Sequence, residues 1–312
     1  MNLAAPLLLL ALVSPVVKVE RYRMQSSFWV NLHQRLLYEA RFKEPPPKGL
    51  APEEGAIWES AVGAYREFLG NRSPIFNREL IAMNAALSAT RTDKLPETIP
   101  KPAREALLKV SPLYRKDQWP RDDRANRFWI SVAEPMLAST VSELLAAHEK
   151  AYGMPFPKHI LVDVAAFGWE FGAYTVGDAE SVHCVIQNND PATQGYAALE
   201  SLMHEPAHGI VEPEAGALGA DLASAARKLN LKPHRNLWHA LLFFTAGDLT
   251  RRALAPRGVD YKPLIYFGGF FDRQFTGFKE PLETYWRAYL DGTMPRAEAM
   301  EKILLATAKP AE

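Results

Sequence analysis

Ser201-Leu202-Met203-His204-Glu205-Pro206-Ala207-His208-Gly209 carries the pattern H-E-x-x-H on His204, Glu205 and His208. The run leading into it, Tyr196-Ala197-Ala198-Leu199-Glu200-Ser201-Leu202, is rich in helix formers, so the motif is predicted on a helix. Residues four apart on a helix are separated by about 40° around the axis and one turn along it, so both imidazoles reach one metal ion from the same face. Neutral histidines at that spacing are zinc ligands, and the carboxylate between them faces water polarised by the ion. A third ligand must come from elsewhere in the chain. Pro206 acts against this arrangement, because it lacks an N–H and its ring collides with the carbonyl four residues earlier, costing ~3 kcal/mol inside a helix. A kink that displaces His208 relative to His204 is the expectation.

Working upstream, the composition changes at Pro155-Phe156-Pro157. Beyond it come His159-Ile160-Leu161-Val162-Asp163-Val164, Gly172-Ala173-Tyr174-Thr175-Val176 and Ser181-Val182-His183-Cys184-Val185-Ile186. Each is short, β-branched and bounded by turn residues, so three strands are predicted. Downstream, Asn236 to Leu254 reads as a helix capped by Asn236 and stopped by Pro256, and 280–307 as a helical tail with a turn at Asp291-Gly292. The first half holds helices at 20–43, 55–70 and 77–90, another from Pro102, a loop at Trp119–Asp123, and a long amphipathic helix over 126–151 that Pro135 should kink or divide. The fold class is therefore α+β, mostly helical, with a small mixed or antiparallel sheet of about three strands packed on the motif helix. The parts are 1–17, a helical 18–154 and a catalytic 155–312, the last two joined in one compact unit or standing apart.

Lysine plus arginine and aspartate plus glutamate both number 36 in 312 residues, so no global field favours nucleic acid. The single cysteine, Cys184, rules out a disulfide framework and a thiolate zinc cage, and its β-branched neighbours make it a buried thiol. Metal ligands must be His, Asp or Glu. The apolar stretch Leu3 to Val13 has the length of a signal-peptide core and falls short of the roughly 20 residues of a spanning helix, so export is expected, with no stable transmembrane span in the mature chain. No cysteine is there to carry a lipoprotein anchor.

The order of three strands, an H-E-x-x-H helix and a second helix bearing an acidic residue resembles the zincin metallopeptidases, specifically their gluzincin branch, over roughly residues 158–255. The resemblance implies a third ligand on the downstream helix, Leu237 to Asp248, whose only acidic residue is Asp248, where the family has Glu. Arg251 and Arg252 offer Asp248 a local ion pair instead. His239 is the rival ligand, and it lies nine residues before Asp248 on the opposite helix face, about 13 Å along the axis, so one ion cannot take both. His183, Tyr174, Tyr261 and Tyr266 are candidates for substrate binding or a developing oxyanion. Glu200, one turn before His204, either lies on a solvated face or accepts a hydrogen bond from a ligand imidazole. Glu212 and Glu214 follow His208 too closely to fold back easily as ligands, and Pro213 between them suggests a loop, so they fit better on the surface or as groups that support a ligand from behind.

The activity implied is that of an exported Zn2+-dependent hydrolase acting on a peptide or other amide, with Glu205 as general base, His204 and His208 as ligands, and Val182 to Ile186 as the strand that binds extended substrate. The alternative is a catalytically silent zincin scaffold serving as an envelope binding or structural protein, motivated by Pro206 and by Asp in place of Glu.

Overall fold

The computed structural model describes residues 19, 21–170, 172–212, 216–307 and 309–310. The expected signal segment, and Glu214, lie outside the described residues.

A four-stranded mixed sheet organises the chain: β1 (Tyr22–Gln25), β2 (His159–Ala165), β3 (Ala173–Gly177) and β4 (Ser181–Gln187), in the order β1-β2-β4-β3. β1, β2 and β4 run parallel, and β3 is antiparallel to β4 at the outer edge. The three expected strands are present. The fourth, β1, falls in a segment read as helix: Ser26-Ser27 separates it from α1 (Phe28–Phe42), and four residues are too few for a period-2 pattern to stand out against the helical pattern that follows.

Both faces of the sheet are covered, because alternate side chains of each strand point to opposite sides. On one face Tyr174, Val185 and Ala165 join a core built from α1, α2 (Pro52–Leu69), α3 (Arg78–Ala89) and α4 (Lys101–Leu113). On the other, Ile160, Val162, Val182, Cys184 and Ile186 pack against α5 (Trp119–Tyr152), α6 (Tyr196–Val211) and α8 (Leu237–Leu254), with α7 (Ala217–Leu229) outside them. The sheet thus joins the two halves of the chain, and a boundary at 154/155 cuts between β1 and the strand it pairs with.

The loop expected at Trp119–Asp123 is helical. A π turn at Tyr114–Gln118 joins α4 to α5, and α5 continues through Pro135 undivided. Pro135 lies on the exposed face, while Trp129, Ala133, Leu137, Leu144, His148 and Tyr152 bury the inner face. Among the described residues the run Lys101–Tyr152 is the one helix long and apolar enough to cross a membrane, by length and composition alone. The tail is helical at Lys279–Leu290 and Arg296–Thr307, broken at Asp291-Gly292 as the turn signal there implies.

Candidate metal centre

α6 is a continuous helix in which Pro206 is an interior residue. Proline at 206 removes the amide that would donate to the carbonyl of Leu202, leaving a buried acceptor that needs another partner. The hydroxyl of Tyr22, on β1, supplies it at 2.8 Å. The anticipated displacement of His208 does not occur: its Nε2 lies 3.3 Å from Nε2 of His204. Gly209 lets α6 lie against the β3–β4 turn, since a Cβ there would fall 2.7 Å from the carbonyl oxygen of Asp178 and from Val182 Cγ1.

α8 crosses α6 and brings His239 to the pair, its ring 5.5 Å from that of His204 and 5.1 Å from that of His208. One ring nitrogen from each of the three histidines lies within 4.8 Å of the others. Tetrahedral zinc with Zn–N bonds of 2.0–2.1 Å needs ligand nitrogens about 3.3 Å apart, the separation the H-E-x-x-H pair already has. Burial holds two of the rings, His204 and His239, neutral. Burial pushes the His204 pKa well down, with His208, His239 and His148 adding to it, and burial followed by His208 brings His239 to about 3. Neutral imidazoles present the lone pairs that a cation requires, so the donor set fits Zn2+.

Asp248, the other candidate third ligand, is not part of this cluster. Its carboxylate accepts from Arg251 at 2.7 Å and from Arg252 at 2.6 Å. Nine residues on a helix carry it to the far side of α8, and two guanidiniums satisfy it there.

Glu205 is 7 % exposed, and its Oε2 accepts a hydrogen bond from Thr175 Oγ1 on β3 at 2.7 Å. Burial raises its pKa, opposed by His208 and then by the Thr175 hydrogen bond. Glu200 is not on a solvated face; it is fully buried. Its Oε2 accepts from Tyr261 Oη at 2.6 Å and from the Leu264 amide at 3.0 Å, while Oε1, like Nδ1 of His204, has no partner among the described residues. Burial pushes its pKa up to about 7.

Aromatic rings wall the three histidines. Phe243 lies 4.1 Å from His204, Trp238 stacks on His239 at 5.0 Å, and Phe275 stands edge-on to His239 at 5.9 Å. Phe270 closes on Phe243 at 4.7 Å from the short helix Phe270–Arg273, which follows the short helix α9 (Leu264–Phe267).

The remaining candidates lie elsewhere. His183 points to the opposite face of the sheet from α6, where its Nε2 meets Asp163 Oδ2 at 2.8 Å. Tyr174 is on that same far face and accepts from Gln34 on α1 at 2.7 Å. Alternation along a strand explains both: Cys184 and Thr175, their neighbours, take the α6 face. Tyr266 donates to Glu283 at 2.9 Å and accepts from Arg287 at 3.1 Å, and Tyr261 serves Glu200. Cys184 is a free, buried thiol whose pKa burial raises. β4 cannot bind an extended substrate along its backbone, because β2 and β3 occupy both of its edges. Tyr22, Thr175 and the aromatic walls carried no signal in the sequence, since nothing in their local spacing marks them.

No family model, curated protein or solved structure matches this chain. Its function therefore has to be argued from the site itself.

Proposed function

We propose that this chain is an exported, zinc-dependent hydrolase of peptidase type, with His204, His208 and His239 holding the metal and Glu205 acting as general base. The observation that carries the reading is the convergence of three imidazole nitrogens within 4.8 Å, beside the buried carboxylate of the same motif. Zn2+ held there would supply Lewis acidity toward water and toward a substrate carbonyl. Thr175 fixes one oxygen of Glu205, so the other, Oε1, is the atom that takes a proton from water and later passes it to the leaving nitrogen. The aromatic walls restrict water around the histidines and strengthen these electrostatic interactions. β3, whose outer edge has no strand beside it among the described residues, is the element to which an extended peptide would add backbone hydrogen bonds.

Metal analysis combined with turnover of a peptide pool tests the proposal. One zinc per chain and chelator-sensitive cleavage are expected, and Glu205→Gln should retain the zinc while cleavage falls at least 100-fold. Purified protein without stoichiometric metal would remove the reading. Zinc without cleavage of any peptide would favour a silent scaffold.

A further inference from the structure

A second cleft, apart from the histidine cluster, lies on the chain. A cleft of about 700 Å³ opens where the C-terminal end of β1 meets the first turn of α1, bounded by the segment after α3 and by α5. Its volume is in the range of small-molecule sites. α1 is a 15-residue helix whose N-cap, Ser27, makes no side-chain capping bond, and its first turn holds no acidic residue. The amides of Phe28, Trp29 and Val30 have no acceptor among the described residues. Ser27 lines the cleft at 5 % exposure, and its hydroxyl has no partner among the described residues. Free first-turn amides, the positive end of the helix dipole and a spare hydroxyl form an oxyanion cradle.

The charges around it have the matching sign. Arg23, Arg91, Arg115 and Arg127 line the cleft against two carboxylates, Asp93 and Glu134. Arg115 is paired with Asp93, and Arg127 with Asp123. Arg91 donates to neutral acceptors, Gln25 Oε1 at 2.8 Å and the Ser88 carbonyl at 2.5 Å, and no carboxylate among the described residues meets it. It is therefore positioned while its charge stays uncompensated. Phe28, Trp29 and Trp119 line the same cleft, and the Arg115 guanidinium lies over the Phe28 ring at 4.1 Å. An inorganic ion would leave these rings uncovered.

We propose that this cleft binds a small organic phosphate, its oxyanion held by the first turn of α1, Ser27 and Arg91, and its apolar body lying against Phe28, Trp29 and Trp119. Calorimetric titration of the full chain with inorganic phosphate, phenyl phosphate and benzoate, each against sodium chloride of equal ionic strength, tests this. Saturable 1:1 binding of phenyl phosphate is expected, at least ten-fold tighter than of inorganic phosphate or benzoate. Arg91→Gln should weaken it ten-fold or more, and Ser27→Ala and Arg23→Gln several-fold. His239→Ala, which disrupts the histidine cluster, should leave the affinity unchanged, separating this site from the proposed metal centre. Arg23 is exposed on β1, so Arg23→Gln remains a readable variant if Arg91→Gln fails to fold. The proposal is overturned by heats no larger than those of sodium chloride, by equal affinity for the three probes, by tighter binding of benzoate, or by folded arginine variants that bind as the parent does.

Discussion

At the scale of single residues, the tolerance of Pro206 comes from one hydroxyl. Tyr22 donates to the carbonyl that Pro206 leaves without an amide, and both groups are buried. Tyr22→Phe should therefore cost about 1–3 kcal/mol, the penalty of an unsatisfied buried carbonyl. Pro206→Ala restores an amide one helical turn after Leu202, so in that background the same change should cost much less. Denaturant unfolding of the four proteins gives the coupling directly, and strictly additive effects would show that the hydroxyl does not serve the helix in this way. A second contrast concerns the third ligand. Asp248→Asn should lower the melting temperature, since it uncouples Arg251 and Arg252, yet leave zinc content unchanged; His239→Ala should lower zinc content. The reverse pattern, measured by metal analysis, would return Asp248 to the metal. Much of the site was legible in the sequence: His204, Glu205 and His208 are a local pattern, and helix geometry alone made His239 and Asp248 mutually exclusive. The choice between those two was not legible, because it depends on which face of α8 turns toward α6, a tertiary fact. His183 and Tyr174 were misplaced because strand alternation says which residues share a face but not which face meets the motif helix.

At the scale of elements, the crossing of α6 and α8 sets the histidine geometry, and a glycine sets how closely the helices approach. A Cβ at Gly247 would lie 2.6 Å from Pro263 Cβ and 3.1 Å from Glu200 Oε1. Alanine is the better helix former by up to ~1 kcal/mol, but intrusion into a packed contact costs ~1–3 kcal/mol, so Gly247→Ala should be net destabilising. Because Glu200, one turn from His204, must give way together with the nearer Pro263, the variant should also bind zinc more weakly, as competition with a chromogenic chelator would reveal. Unchanged stability and affinity would mean that the helices have room to spare. Element boundaries followed local chemistry where that chemistry was strong: β2, β3, β4 and α8 fall within a residue or two of their expected limits. It failed at Trp119–Asp123, where Pro120 follows directly on the π turn Tyr114–Gln118, and the altered hydrogen-bond register there lets the helical run pass the proline without a break. α7 went unread although Leu218, Leu222, Ala225 and Ala226 line one buried face at helical spacing.

At the scale of the whole molecule, the sheet couples the two cores. β1, contributed by the N-terminal half, pairs with β2, contributed by the C-terminal half, and Tyr22 on that strand reaches through to α6. The proposed ligands sit on α6 and α8, wholly within the core on the second face. A metal that binds only the folded chain stabilises it by RT ln(1 + [L]/Kd), about 2.7 kcal/mol at a hundred-fold excess of free metal over Kd. If the sheet transmits that stabilisation, thermal unfolding is one cooperative transition, and chelation should shift it downward as a unit. The measurement is differential scanning calorimetry with and without chelator, read beside the 19F resonance of Trp58 in fluorotryptophan-labelled protein, since seven tryptophans share the emission and Trp58 lies in the core on the first face, away from the histidines. Loss of calorimetric stability with the Trp58 transition following it would establish the coupling. If chelation split the profile, leaving the Trp58 transition in place while a second one moved, the sheet would be a seam between two independently folding halves, and the β1–β2 pairing would contribute little to the stability of either.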